Sequence, residues 1–277
     1  MPKPVTLPRV GGGGGSLPIV PLILVLFLVV GDSFGSPGPE VGLSPEVPRP
    51  TPGFFAPGNA WHEFYFTRAI YSDGRPSGLR GWGRSGSWST DYPKADRQFL
   101  QVIQEILGID AYDRENAVSL ADPELRRFPF LYALEVGRMN LSPAEAGGLR
   151  SYLEAGGFLV IDDFWGTREW AVFEANMGRV LPGRAIQELP MDHPLFSVFF
   201  EIPELIQVPN VRQGRYGGPT WERDGYEPSV RGVLDDRGRL MVVINWNTDL
   251  GDAWEWAEDP FYPLEFSTFA YEMGANL

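Results

Sequence analysis

The sequence contains no cysteine. Disulfides, thiolate metal sites, iron–sulfur clusters and cysteine nucleophiles are excluded together. Histidine is almost absent. Only His62 and His193 occur, so any mechanism that uses an imidazole must use one of these two, and a three-histidine zinc site is impossible. Positive charge is scarce: 23 Lys and Arg face 36 Asp and Glu, for a net charge of −13. Phosphates are repelled by such a chain at long range, which makes nucleic acid a poor partner. The longest apolar run, Leu17 to Val30, falls short of the about 20 residues of a membrane-crossing helix. Aromatic residues, in contrast, are plentiful. The 9 Trp, 10 Tyr and 18 Phe in 277 residues can fill a core without covalent staples.

The apolar run near the N-terminus follows Lys3, Arg9 and a glycine run, Gly11 to Gly15, and precedes the small residues Ser33, Gly35 and Ser36. That is the layout of an export signal. Residues 1–36 are therefore expected to be a signal peptide cleaved near Gly35, or an uncleaved signal anchor. Either outcome places the remainder outside the cytoplasm, periplasmic or anchored facing the cell envelope. Residues 37–60 are rich in Pro and Gly and lack apolar periodicity, which reads as a linker. Residues 61–277 are expected to be one α/β domain.

Within that domain, His62 to Tyr71 is rich in aromatic residues and reads as the first strand. Asp91 is expected to cap a helix that carries Phe99, Ile103, Ile106 and Leu107 on one face and ends at Gly108. Val118–Leu120 reads as a short strand. Phe128 to Val136 is a continuous apolar run, as a buried parallel strand requires. Ser142, Pro143 and Glu145 form a capping box. Its helix stops at Gly156-Gly157, before a second buried strand, Phe158 to Ile161. Thr167 is expected to cap the next helix. Gly232–Leu234 and Leu240–Ile244 form a hairpin, and a last helix runs from about Pro263 to Met273 with Gly274 as its cap. Alternating strands and helices imply a mainly parallel sheet covered on both faces. Ligands of such sheets bind outside the carboxyl ends of the strands. Three segments lie there: the 72–92 loop, the 162–168 turn and the stretch after Ile244.

Gly81 to Gly86 matches G-x-G-x-x-G, but no strand directly precedes it and no helix opens on its last glycine, as dinucleotide binding needs. Arg75, Arg80 and Arg84 stand among Trp82, Trp88 and Tyr92. That mixture suits sugars, carboxylates or a protein partner, and equally a lid packed on the domain. Asp162 and Asp163 follow a buried strand as neighbours, so they are expected on opposite sides. Asp252 and Glu255 have N-cap and N3 spacing for a short helix, which leaves Asn247 and Asp249 unexplained. Their oxygens suit Ca²⁺ or Mg²⁺, but the spacing fits no Ca²⁺ loop. No metal ligand and no cofactor is assigned. His193 reads as a turn residue, and no G-x-S-x-G accompanies it for a serine hydrolase.

Several ordered blocks carry a resemblance: TRAIYSDG, Trp88 to Asp96, Asp122 to Leu125, Phe128 to Tyr132, Tyr152 to Gly166, Asp192 to Phe196 and Asn247 to Trp256. Over about residues 61–276 the chain resembles the bacterial domain of unknown function 4159. That family is similar in outline to the class I glutamine amidotransferase-like fold. The resemblance implies a flavodoxin-like three-layer sandwich with a mainly parallel sheet, and it puts Asp162 at the nucleophile position after the Gly156-Gly157 strand. Without cysteine, thioester chemistry is out, and the resemblance implies a retained pocket with its chemistry removed or replaced. The candidate catalytic residues are Asp162 and Asp163. The candidate binding residues are Arg68, Tyr71, Trp88, Asp91, Tyr92, Asp96, Asn247, Asp249, Asp252 and Trp254. The expected function is an exported binding or interaction module that takes a small polar ligand or an envelope protein. The alternative is a carbohydrate or cell-wall hydrolase that pairs Asp162 or Asp163 with Asp249 or Glu255. Neither reading involves nucleic acid, and membrane contact is expected only through an uncleaved N-terminus.

Overall fold

The computed structural model describes residues 62–74 and 86–277. The expected signal segment and linker lie outside the described residues, as do Arg75, Arg80, Trp82 and Arg84. No described helix is long and apolar enough to cross a membrane.

Seven strands form one sheet: β1 (Thr67–Ile70), β2 (Asn116–Ser119), β3 (Phe130–Leu134), β4 (Phe158–Asp162), β5 (Gln187–Glu188), β6 (Ser229–Leu234) and β7 (Leu240–Trp246). Their order is β2-β1-β3-β4-β7-β6-β5. The first five in that order run parallel, while β6 is antiparallel to both β7 and β5. Among the described residues, six α-helices accompany them: α1 (Lys94–Leu107), α2 (Pro143–Glu154), α3 (Gly166–Val180), α4 (Val211–Tyr216), α5 (Leu250–Glu255) and α6 (Leu264–Asn276). The fold is thus mixed α/β with a mostly parallel sheet.

The strand residues sort by the period of two. Leu131, Ala133, Leu159 and Ile161 join Leu149, Leu153, Phe173 and Met177 of α2 and α3 in one core cluster. Phe130, Tyr132 and Val160 join Phe99, Ile103, Ala253 and Phe269 of α1, α5 and α6 in the other. Both faces of β3 and β4 are covered, which is why their sequences are apolar without alternation. The capping box of Ser142 and Glu145 forms as expected, and Gly108 ends α1 in the left-handed conformation.

Several local expectations are corrected. The first strand is only Thr67–Ile70. Phe64 makes an isolated bridge to Ala111, so the preceding aromatics are core residues on irregular chain. Asp91 does not cap α1: the N-cap is Pro93, and Asp91 has a φ of 59°, with its carbonyl accepting from the Ala95 amide. Thr167 is inside α3 and donates its hydroxyl to Asp224, because that helix already begins at Gly166. The N-cap of α5 is Asp249 rather than Asp252; its side chain accepts from the Asp252 amide at 2.8 Å. Gly274 ends nothing. It lies inside α6, where a Cβ would come within 2.5 Å of the Phe99 ring, so the helix needs glycine there for close packing.

Candidate functional site

The turns that leave β3, β4 and β7 share one property. Glu135 directly follows β3, Asp163 follows β4 and Asn247 follows β7. All three have left-handed backbones, with φ of 52°, 44° and 61°. Asp91, on the connection from β1 to α1, has φ 59°. Non-glycine residues reach this region at a cost and gather at sites the surrounding structure over-determines. Asn247 is braced on both sides, accepting from the Gly166 amide at 2.8 Å and donating to the Glu227 carbonyl at 2.8 Å. It ties the end of β7 to the start of α3.

These turns bring carboxylates together. One oxygen from each of Asp91, Asp163 and Asp249 lies within 4.8 Å of the others. Asp91, Asp252 and Glu255 form a second such group. Asp163, Asp249 and Asp252 are buried, and Asp91 and Glu255 are partly exposed. Three of these carboxylates are held by neutral donors. Asp163 Oδ1 accepts from Trp165 Nε1 at 2.9 Å, Asp249 Oδ1 from the Asp252 amide, and Asp252 Oδ2 from the Val211 amide at 2.6 Å. Asp162, the last residue of β4, sits beneath. Its Oδ2 accepts from the Tyr132 hydroxyl at 2.6 Å and the Gly251 amide at 3.0 Å, while Oδ1 has no hydrogen-bond partner. Gly251 is required by this crowding: a Cβ there would lie 3.1 Å from Asp91 Oδ2, 3.1 Å from the Tyr132 hydroxyl and 3.6 Å from Asp249 Oδ1.

Burial and mutual repulsion set the protonation. Burial first, then Asp252 and Glu255, push Asp91 well above the ordinary carboxylate range. Burial, then Glu135 and Asp91, do the same to Asp163; burial, then Asp163 and Asp252, do so to Asp249. Burial pushes Asp162 up to about 6, against the hydrogen bonds from Tyr132 and the backbone. Burial and Asp252 raise Glu255.

Of the residues singled out in the sequence, Asp91, Asp163, Asp249 and Asp252 meet in this crevice, and Asp162 borders it. The others serve the frame. Arg68 and Asp96, both fully buried, form an ion pair, and Arg68 also donates to the Thr90 carbonyl at 3.0 Å. Its guanidinium lies over the Tyr132 ring. The Tyr71 hydroxyl donates to the Leu134 carbonyl, the Trp88 and Tyr92 rings meet at a tilt of 56°, and the Trp254 indole donates to the Ala270 carbonyl inside the core. Neither histidine enters. His62 pairs with Asp110, and His193 accepts from the Leu195 amide. Glu135, Tyr132 and Gly251 were not singled out beforehand. The signal for Glu135 was a lone acid inside an apolar run.

Fold and crevice define a mixed α/β domain with carboxylates gathered at the ends of its parallel strands. The sequence profile of a domain of unknown function, DUF4159, matches residues 78–277, and the chain belongs to that family. No curated protein matches it.

Proposed function

We propose that the chain is an exported, non-amidotransferase member of the class I glutamine amidotransferase-like fold, a binding module that takes a small polar ligand at the acidic crevice. The five parallel strands β2-β1-β3-β4-β7 follow the 2-1-3-4-5 order of flavodoxin-like three-layer sandwiches, which supports that architecture. In the proposed fold the strained turn after the β4-type strand carries the nucleophile. Here the left-handed residue is Asp163, one position beyond Asp162, so the carboxylate at the turn is Asp163. Export rests on Lys3, Arg9 and the apolar run Leu17 to Val30.

The observation that carries binding over hydrolysis is the burial and engagement of the carboxylates: Asp163 and Asp249 are both buried, and each has one oxygen held, by Trp165 Nε1 and by the Asp252 amide. Asp162, which a hydrolytic pairing would use, is fully buried and bonded to Tyr132 and Gly251. With both histidines elsewhere, no imidazole base serves the crevice. The test is turnover. The full-length chain is incubated with chromogenic glycosides, esters and amides, with and without divalent cations. No turnover above background is expected, and turnover abolished by Asp163→Asn or Asp249→Asn would overturn the reading in favour of a hydrolase.

A further inference from the structure

We propose that Asp91, Asp163 and Asp249 hold one hard divalent cation, Ca²⁺ or Mg²⁺, at the floor of the crevice; this deepens the binding-site reading and rests on it. One oxygen from each lies within 4.8 Å of the others. Ca²⁺ takes its oxygens at about 2.3–2.6 Å and Mg²⁺ at about 2.0–2.1 Å, so an ion among the three would draw them closer together than this outer limit. The donors are carboxylate oxygens alone, without histidine or cysteine, which favours hard cations over zinc or copper.

A group of acids is common without an ion, and the second observation is Asp162. Its side chain is 0% exposed, and Oδ1 has no hydrogen-bond partner although Oδ2 takes two donors. It borders the same site through its two donors, since a Cβ on Gly251 would lie 3.1 Å from Asp91 Oδ2, 3.1 Å from the Tyr132 hydroxyl and 3.6 Å from Asp249 Oδ1. Asp91 Oδ2 is also buried and without a partner. Carboxylate oxygens out of water cost several kcal/mol unless a donor or cation meets them. Nearby protein cations are engaged elsewhere. Arg68 is paired with Asp96, and Lys94 sits 3.6 Å from the centre of the Trp256 ring. The bonds from Trp165 Nε1 to Asp163 and from the Asp252 amide to Asp249 each engage one carboxylate oxygen. Such outer contacts orient metal-binding carboxylates.

The test uses the full-length chain stripped with a chelator and titrated calorimetrically with CaCl₂ and, separately, MgCl₂. Tb³⁺ serves as a luminescent probe, excited through Trp165. One equivalent of Ca²⁺ or Mg²⁺ is expected to bind, with a rise in Tm. Asp163→Asn and Asp249→Asn are each expected to weaken binding at least tenfold, about 1.4 kcal/mol, and Glu188→Gln on the edge strand β5 to leave it unchanged. Trp165→Phe should lower the sensitised Tb³⁺ emission and, by removing the bond that orients Asp163, weaken calorimetric Ca²⁺ binding as well. If either Asn variant fails to fold, Asp91→Asn supplies the same comparison. Absence of binding by all three ions at millimolar concentration would overturn the proposal, as would unchanged affinity in the Asn variants. The turnover assay keeps the two readings apart. A chain that binds no cation and turns over no substrate loses the cation site alone, and one that binds the ion and hydrolyses substrate loses the binding-module reading alone.

Discussion

Two groups of buried charge lie within the reach of one another's fields, and they are built on opposite terms. Arg68 and Asp96 neutralise each other completely inside the protein, with the Thr90 carbonyl and the Tyr132 ring taking what remains of the guanidinium. Burial opposes the charge on Arg68, and Asp96 more than offsets it, raising the guanidinium pKa. At the crevice, Asp91, Asp163 and Asp249 face one another with only neutral donors behind them. The first arrangement is complete without anything from solution. The second leaves a group of acids without a counter-charge, at backbone turns that are themselves strained. A buried carboxylate is thus informative about function only after its counter-charge has been sought.

The comparison breaks most sharply at the pair. Arg68→Ala leaves Asp96 buried without a partner and is expected to cost about 3–5 kcal/mol, read by urea denaturation; a loss near zero would make the pair dispensable. Next comes pH. In the metal-free chain Asp162 keeps a proton up to about pH 6 when folded, against about 3.9 when unfolded. Between these values the folded state binds the extra proton, so stability rises as pH falls through 6 and is lost again as pH rises. Asp162 alone contributes on the order of 3 kcal/mol, with the raised Asp163 and Asp249 adding in the same direction. Saturating Ca²⁺ or Mg²⁺ should flatten this slope, and a metal-free chain whose stability falls on acidification from pH 7 to 5 would contradict it.

Asp163→Asn should stabilise the metal-free chain by up to about 3–4 kcal/mol at a pH of about 8, the repulsion of two unit charges about 4–5 Å apart at an effective dielectric of about 20. Asparagine tolerates the left-handed backbone there, so thermal unfolding isolates the charge. Destabilisation would mean that Asp163 is a structural acceptor first. The smallest effect is expected at Arg97, whose ion pair with Glu115 is largely exposed. Arg97→Ala should change stability by at most about 1 kcal/mol in the same urea assay.

The sequence revealed the frame where one signal dominated. The apolar runs of β3 and β4 required a sheet covered on both faces, and Ser142-Pro143-Ala144-Glu145 allowed one reading only. It was ambiguous where two residues offered the same local chemistry. Asp249 and Asp252 both stand at cap spacing in NTDLGDAWEW, and the strand register decides between them. Asp162 and Asp163 are neighbours, and only the end of β4 assigns one to a buried bond with Tyr132 and the other to the turn. Asp91 reads locally as a cap, yet it closes a cluster with residues 72 and 158 positions away. That convergence is a property of strand order, which local spacing does not contain.

The most direct measurement is the anomalous scattering of crystals of the full-length chain soaked in Mn²⁺, an oxygen-seeking stand-in for Mg²⁺ and Ca²⁺. A single strong peak bonded to Asp91, Asp163 and Asp249 is the result predicted. An empty crevice, or Mn²⁺ bound only at surface carboxylates, would contradict the account.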